Sequence, residues 1–131
     1  MIALPVPPNE PERLKALEDY HILDTIDEAD FDRLTQLAAI ICDVPISLVS
    51  LVDEKRQWFK SNHGLGVKQT PRELAFCQYA IMNPSVFEVK DATKDDRFRA
   101  SPLVADPAFG VRFYAGSALV TSDDQVCLCI N

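Results

Sequence analysis

A pair of short apolar segments joined by a polar turn places the strongest constraint on the fold. Residues 46–52 are rich in β-branched and aliphatic side chains and too short for an independent helix, which favours a strand covered on both faces. Residues 53–56 form a polar turn, and residues 57–60 return as an antiparallel partner carrying Trp58 and Phe59. Further strands are predicted at residues 86–90, 111–120 and 125–130, with a turn at 122–124.

The order of the elements decides between the two main kinds of sheet. Three helix starts are predicted from capping residues, at Asn9 with Glu12, at Thr25 with Glu28, and in the run Thr70-Pro71-Arg72-Glu73. Helices do not alternate with every strand, which argues against a doubly wound parallel sheet. The sequence therefore predicts an α+β fold, with a central antiparallel sheet of five or six strands and helices packed on one face.

The second helix has the clearest amphipathic pattern. Its end is predicted near residues 42–43, because Pro45 disfavours helical geometry at the preceding residue. Its apolar side chains recur at helical spacing and comprise Phe31, Leu34, Leu37, Ala38, Ile40 and Ile41. The third helix is predicted to carry Leu74, Cys77 and Ile81 on one face and to end before Pro84.

Length and charge narrow the possible roles. A chain of 131 residues has room for one core, assigned to residues 9–131 behind an extended, proline-rich leader at 1–8. The net charge of −7 argues against a nucleic-acid partner, because phosphate binding requires clustered Lys and Arg. No apolar run approaches the roughly 20 residues that cross a bilayer, and no secretory pattern opens the chain. We therefore expect a cytoplasmic protein with no membrane contact and with its four cysteines reduced.

Short motifs occur in a fixed order along nearly the whole chain, and together they resemble one family. They include Asn9-Glu10, Glu12-Arg13-Leu14, Ile22-Leu23-Asp24-Thr25, Gln57-Trp58-Phe59-Lys60-Ser61, Thr70-Pro71-Arg72-Glu73, Ala75-Phe76-Cys77 and Arg112-Phe113-Tyr114-Ala115-Gly116. This ordered series resembles bacterial GAF domains, in the subfamily found in sensor histidine kinases and diguanylate cyclases. The resemblance implies a ligand-sized cavity beside the sheet and a sensory role ahead of a histidine-kinase, diguanylate-cyclase or phosphodiesterase output domain.

The chain departs from the family pattern in two places. The motif that usually reads Gly-Ala-Pro-Leu is Gly116-Ser117-Ala118-Leu119 here, and the final helix expected after the last strand is missing. We therefore expect a GAF-like domain truncated at its C-terminal end, with an apolar face left uncovered on the sheet or on the first helices. Because large uncovered apolar faces usually find a partner, a homodimer is predicted.

The expected ligand-binding residues are apolar side chains with a few polar groups, as in most small-molecule pockets. The aromatic residues among them fit a buried core equally well. The set comprises Ser47, Trp58, Phe76, Cys77, Phe98, Phe113 and Ser117. The resemblance adds no cofactor, and the ligand stays an unidentified small molecule.

Two other functions compete with the sensory one. GAF-type free methionine sulfoxide reductases use a cysteine, for which Cys77 is the candidate, and turnover would then be lost in Cys77→Ser. Residues 91–108 contain no resolving cysteine, so a structural thiol and a chain that is not an enzyme are expected. The other competitor is a ligand-free dimerisation module.

The remaining polar clusters have simpler interpretations. Cys127 and Cys129 lie on the same face of a predicted strand, about 7 Å apart, and without further ligands they are expected in the core rather than around a metal. Asp91, Asp95 and Asp96 are expected in turns and caps rather than as a catalytic pair.

Overall fold

The predicted hairpin is the centre of the sheet. In the computed structural model, which describes residues 5–83, 85–122 and, for the backbone alone, 126–130, β1 (Ser47–Val52) runs antiparallel to β2 (Arg56–His63). Leu51 lies opposite Trp58, and the register shifts between Val49 and Ser50. Every residue of β1 is buried, because the strand is covered on both faces as its composition predicted.

Six strands complete the sheet, in the order β3-β2-β1-β6-β5-β4. Every pairing between neighbours is antiparallel, which confirms the predicted sheet type. The edge strands are β3 (Gln69–Pro71) and β4 (Phe87–Val89), and β5 (Tyr114–Val120) and β6 (Val126–Ile130) lie between β1 and β4. The predicted roles of Cys127 and Cys129 fall on side chains outside the described part of the chain.

The helices lie on both faces of the sheet, which corrects the expectation of a single helical face. Leu17 of α1 (Glu10–Asp19) packs with Leu51, whereas Cys77 of α3 (Cys77–Ala80) packs with Val52. Leu51 and Val52 are neighbours on β1 and point to opposite sides. The side of α1 is called the α1 face and the side of α3 the α3 face.

The remaining helical segments complete the two layers. The long helix α2 (Ala29–Cys42) contacts β1 and β2. The chain between β4 and β5 is irregular as predicted. The helical turn predicted near Arg97 is present, because the Phe98 and Arg99 amides donate to the Asp95 carbonyl at 3.0 and 2.8 Å. It lies between a 3-10 turn at Ala92–Lys94 and α4 (Pro102–Ala105). No helix in the described ranges has the length and apolar character to span a membrane.

The apolar stripe of α2 is left uncovered. The helix buries its small residues Thr35 and Ala39, and the Thr35 hydroxyl lies 2.9 Å from the Ser61 hydroxyl of β2. Its large side chains face away from the sheet, with Ile40 77% and Ile41 72% exposed. Leu34, Leu37, Ile40 and Ile41 define what is called the α2 surface. The expectation of an uncovered apolar face on the first helices is therefore met within the described residues.

Two predicted helix starts are wrong. The second helix begins at Ala29 rather than at Thr25, because the Thr25 hydroxyl instead accepts a hydrogen bond from Lys60 Nζ at 2.7 Å. At Thr70 the chain is in β3, with Thr70 opposite Gln57, and only a 3-10 turn at Arg72–Leu74 follows. The backbone groups of residues 69–71 pair with β2 instead of forming the first turn of a helix. Pro71 is tolerated there because β3 is an edge strand.

Candidate functional site

Stacked aromatic rings fill the interior of the α3 face. The ring of Phe76, at the start of α3, lies 4.2 Å from that of Phe98 and 4.9 Å from that of Tyr114 on β5. All three side chains are buried. The Arg97 guanidinium covers the outer edge of the stack, 5.2 Å from the Phe98 ring centre. The hydrogen bond from Arg97 to Asp95 holds that cation in place and raises the pKa of Arg97.

Cys77 lies against this stack. Its side chain is 0% exposed, and its sulfur is 3.1 Å from the Tyr114 hydroxyl. The other described cysteine, Cys42, is exposed at the end of α2, and neither forms a disulfide. Nucleophilic chemistry requires an accessible thiolate, and the Cys77 sulfur is enclosed by the core. The geometry therefore fits a structural thiol better than a reactive one.

A cluster of buried charges connects α1 to the α3 face. Arg13 donates to both carboxylate oxygens of Glu10, at 2.8 and 2.9 Å, and to the Val52 carbonyl at 2.6 Å. Arg72 donates to the same Glu10 carboxylate at 2.5 Å and, through Nε, to the Gln78 side-chain oxygen at 3.2 Å. One carboxylate is thus shared by two guanidinium groups, which are almost entirely buried.

Sequence reasoning missed this cluster as a unit. Glu10, Arg13 and Arg72 all lie in the motifs that resemble the GAF family, but Glu10 and Arg72 are 62 positions apart. Their presence in separate motifs was the only available signal. Tertiary structure brings them together, because α1 crosses the end of β1 where the 3-10 turn begins.

Comparison with solved structures decides the fold. The chain superposes on the GAF domain of an Acinetobacter phosphoenolpyruvate-protein phosphotransferase with a TM-score of 0.57, at 15% identity, over 91% of this chain and 72% of that one. A type II free methionine-R-sulfoxide reductase from Thermoplasma acidophilum superposes with a TM-score of 0.60, at 8% identity, over 87% and 74% of the two chains. The chain has a GAF fold. No family model matches the sequence.

A sequence relative adds a functional context for this GAF fold. A cyclic di-GMP phosphodiesterase of Pseudomonas aeruginosa is 40% identical over 124 residues, which cover 94% of this chain. The chain spans only 21% of the length of that relative.

The GAF fold brings together only part of the predicted ligand-binding set. Phe76, Cys77 and Phe98 meet in the buried cluster on the α3 face. Ser117 is half-buried on β5. Phe113 is 52% exposed, and the neighbouring Tyr114, rather than Phe113, stacks on Phe76. Phe113 therefore lies outside the buried cluster that holds Phe76, Cys77 and Phe98, and its role in ligand binding stays a prediction.

The other two predicted residues lie on the opposite face. Trp58 packs with Leu17 and Leu51 on the α1 face. Ser47 alternates in phase with Leu51 along β1 and shares that side. A single cavity on the α3 face cannot include Ser47 and Trp58, because strand alternation sends their side chains through the other side of the sheet.

A second buried cation is fixed on the α1 face. The Lys60 ammonium contacts Glu28 Oε2 at 2.6 Å, the Thr25 hydroxyl at 2.7 Å and the Ile26 carbonyl at 2.6 Å. A cavity of about 470 Å³ opens beside it, between the start of α2 and the loop after β2. Because all three ammonium hydrogens have acceptors, Lys60 fixes the loop before α2 and has no donor left for a ligand.

The aspartates after β4 serve as caps, as predicted. The Asp91 carboxylate accepts from the Thr93 amide at 3.0 Å, and Asp95 accepts from the Arg97 amide and guanidinium. The hydrogen bond from the Thr93 hydroxyl lowers the pKa of Asp91, and the bond from the Arg97 side chain lowers that of Asp95. Both carboxylates are therefore ionised at neutral pH, which does not suit a catalytic acid–base pair.

The charge cluster predicts an acid-dependent loss of stability. Burial opposes ionisation of Glu10, but the hydrogen bonds from Arg13 and Arg72 outweigh it and lower the pKa of Glu10 from 4.5 to about 2. A depressed pKa contributes stability above pH 4.5 that is lost as the pH falls towards 2. We expect this loss to be about 2 kcal/mol, after allowance for the partial exposure of the carboxylate.

Urea unfolding at pH 7, 4.5 and 2.5 tests this expectation. The Glu10→Gln variant serves as the control, because it lacks the titrating group. The wild type should lose more stability between pH 4.5 and pH 2.5 than the variant does. Parallel pH profiles for the two proteins would contradict the assignment.

Proposed function

We propose that this chain is a regulatory GAF module of cyclic di-GMP signalling, which binds a small ligand and relays a conformational change to an output domain. The 40% identity over 124 residues to a cyclic di-GMP phosphodiesterase is the observation that supports it. That relative favours a cyclic-dinucleotide enzyme over a histidine kinase as the output. The catalytic activity would then belong to the output domain rather than to this GAF module.

The proposed location of the module is the cytoplasm. An acidic net charge of −7 is compatible with a soluble partner domain, and neither Cys42 nor Cys77 is in a disulfide.

A domain exchange tests the proposed function. In the Pseudomonas phosphodiesterase, the matching segment is deleted, or replaced by this chain, or replaced by the Acinetobacter GAF domain of the same fold. Deletion should change the rate of cyclic di-GMP hydrolysis, and this chain should restore it better than the 15%-identical domain does. Hydrolysis by this chain alone, or a deletion without effect, would contradict a regulatory role.

The filled interior of the α3 face supports a second candidate, a dimerisation module that binds no ligand. The stacked rings of Phe76, Phe98 and Tyr114 occupy the space where the family resemblance implies a cavity. Both candidates require an assembly surface, but only the regulatory one requires a bound small molecule. A ligand-binding measurement therefore separates them.

Homodimerisation through the α2 surface is part of both candidates. Each apolar side chain removed from water contributes about 1.5–3 kcal/mol, and a two-fold interface counts each residue twice. Ile40→Lys is therefore expected to weaken the dimer by about 100-fold or more. Sedimentation velocity over a concentration series measures the change.

The matched control is Val86→Lys, which places the same charge on an exposed aliphatic residue outside the α2 surface. This variant should assemble like the wild type. A wild type that stays monomeric at high concentration, or an equal effect of the two variants, would refute the interface.

A further inference from the structure

The Arg72 side chain has hydrogen-bonding capacity that the described residues do not use. It is 7% exposed, and its Nη1 donates to Glu10, to the Asp53 carbonyl at 3.1 Å and to the Glu54 carbonyl at 3.4 Å. Its Nη2 is buried and has no acceptor among the described residues. A buried donor without an acceptor costs about 1–3 kcal/mol, so a well-formed site is expected to supply one.

Gln78 carries a second donor of the same kind, on the first turn of α3. The residue is 2% exposed, and its side-chain nitrogen likewise has no acceptor in the described part of the chain. Its oxygen accepts from Arg72 Nε at 3.2 Å. This bond fixes the orientation of the amide, because the reversed amide would place its NH₂ group against the guanidinium N–H.

The two unused donors belong to the two groups that this one hydrogen bond joins. Arg72 Nη2 shares the guanidinium carbon with Nε, the donor of the existing hydrogen bond. Gln78 Nε2 shares the amide carbon with Oε1, the acceptor of that bond. When the amide lies in the plane of the guanidinium with Nε2 on the side of Nη2, one oxygen atom accepts from both donors and closes a ring of hydrogen bonds. A planar guanidinium with a neighbouring donor is the arrangement that recognises carboxylate and phosphate oxygens.

The charges around this position favour an anion. Arg72 shares the carboxylate of Glu10 with Arg13, which donates to both of its oxygens. Asp53 and Glu54 present only their backbone carbonyls to Arg72, and the Asp53 carboxylate pairs with Arg56 at 3.2 Å. A buried guanidinium is costly unless a counter-charge approaches it, and an oxyanion on Arg72 would add one.

We propose that Arg72 and Gln78 form a binding site for one oxygen of a small oxyanion, a carboxylate or a phosphate, under α3. The inference rests on the ligand-binding role proposed above and names the chemical class of the ligand. Access requires a displacement of α3, which is a helix of only four residues. An oxyanion on Arg72 shares that guanidinium with Glu10, which links the site to α1.

Thermal unfolding with sodium phosphate and with sodium malonate, at an ionic strength held constant with sodium chloride, tests the site. Either oxyanion at ten times its dissociation constant should raise the unfolding temperature by roughly 3–6 °C over chloride. Gln78→Glu replaces the free donor with an isosteric carboxylate that pairs with Arg72, and it should abolish the shift. Gln36→Glu makes the same change at an exposed position on α2 and should retain it.

Side-chain NMR of the wild type keeps the test decisive if Gln78→Glu fails to fold. The Arg72 Nε–H and Gln78 NH₂ resonances should move during the same titrations, together with the amides of α1. Unmoved resonances would mean that the two donors bind water and no anion. A thermal shift that persists in Gln78→Glu would mean that the anion binds elsewhere. Either result overturns the site while leaving the domain-exchange test of regulation unaffected.

Discussion

Replacing Arg13 with methionine should lower the free energy of unfolding by about 3 kcal/mol. The Arg13 side chain is fully buried and donates to the Val52 carbonyl and to both oxygens of Glu10. Methionine fills much of the same volume but donates no hydrogen bond. The variant therefore leaves a buried carbonyl without its donor and reduces the cations around Glu10 from two to one, which is the costly way to break a buried ion pair.

The measurement is urea unfolding followed by the fluorescence of Trp58, the single tryptophan, at a fixed protein concentration. Arg33→Met is the matched control, because Arg33 pairs with Asp30 on the exposed side of α2. Its loss should stay within about 0.5 kcal/mol, as for most surface substitutions. Equal losses in the two variants would show that the cluster around Glu10 does not hold α1 to the sheet.

Replacing Phe76 with alanine is expected to cost about 3–5 kcal/mol, the range for removing a buried phenylalanine. Phe76 stacks on both Phe98 and Tyr114, and its loss leaves a cavity between two rings that belong to different segments. Tyr114 is held in the sheet on β5, which limits how far the rings can collapse into the space. The cost is therefore expected in the upper part of the range.

Phe113→Ala is the control for this change, because the same side chain is removed from a half-exposed position. It should lower the free energy of unfolding by less than about 1 kcal/mol. Trp58 reports global unfolding from the opposite face of the sheet, so its fluorescence is not perturbed directly by either substitution. Similar costs for Phe76→Ala and Phe113→Ala would argue that the ring stack is not the core of the α3 face.

Five of the six strands of the sheet were predictable, because their signal is local. The β-branched run of β1, the polar turn and β2 all lie within the 17 residues from Ser47 to His63, and the observed hairpin matches the prediction. Alternation along a strand also separates residues by face. That rule could not separate Ser47 and Trp58 from Cys77 in advance. The sequence does not show on which face of the sheet each helix packs.

The Thr70-Pro71 pattern failed for a physical reason. A capping threonine and a proline are suited to a helix start, but strand β2 offered the same residues a pairing partner. Local propensity contributes less than about 1 kcal/mol per residue, and sheet pairing together with burial of Arg72 outweighs it. The resulting 3-10 turn positions the Arg72 side chain beneath α3, where the proposed oxyanion site lies.

By itself, the sequence determined the elements that depend on neighbours in the chain: the hairpin, the amphipathic α2, the antiparallel α+β class and the resemblance to GAF domains. Only the tertiary structure decided which groups meet across long separations. It placed Glu10 against Arg72, stacked Phe76 on Tyr114, and turned the large residues of α2 away from the sheet. Helical spacing marks an apolar face but does not say what covers it, because that depends on how closely the helix can approach the strands beneath it.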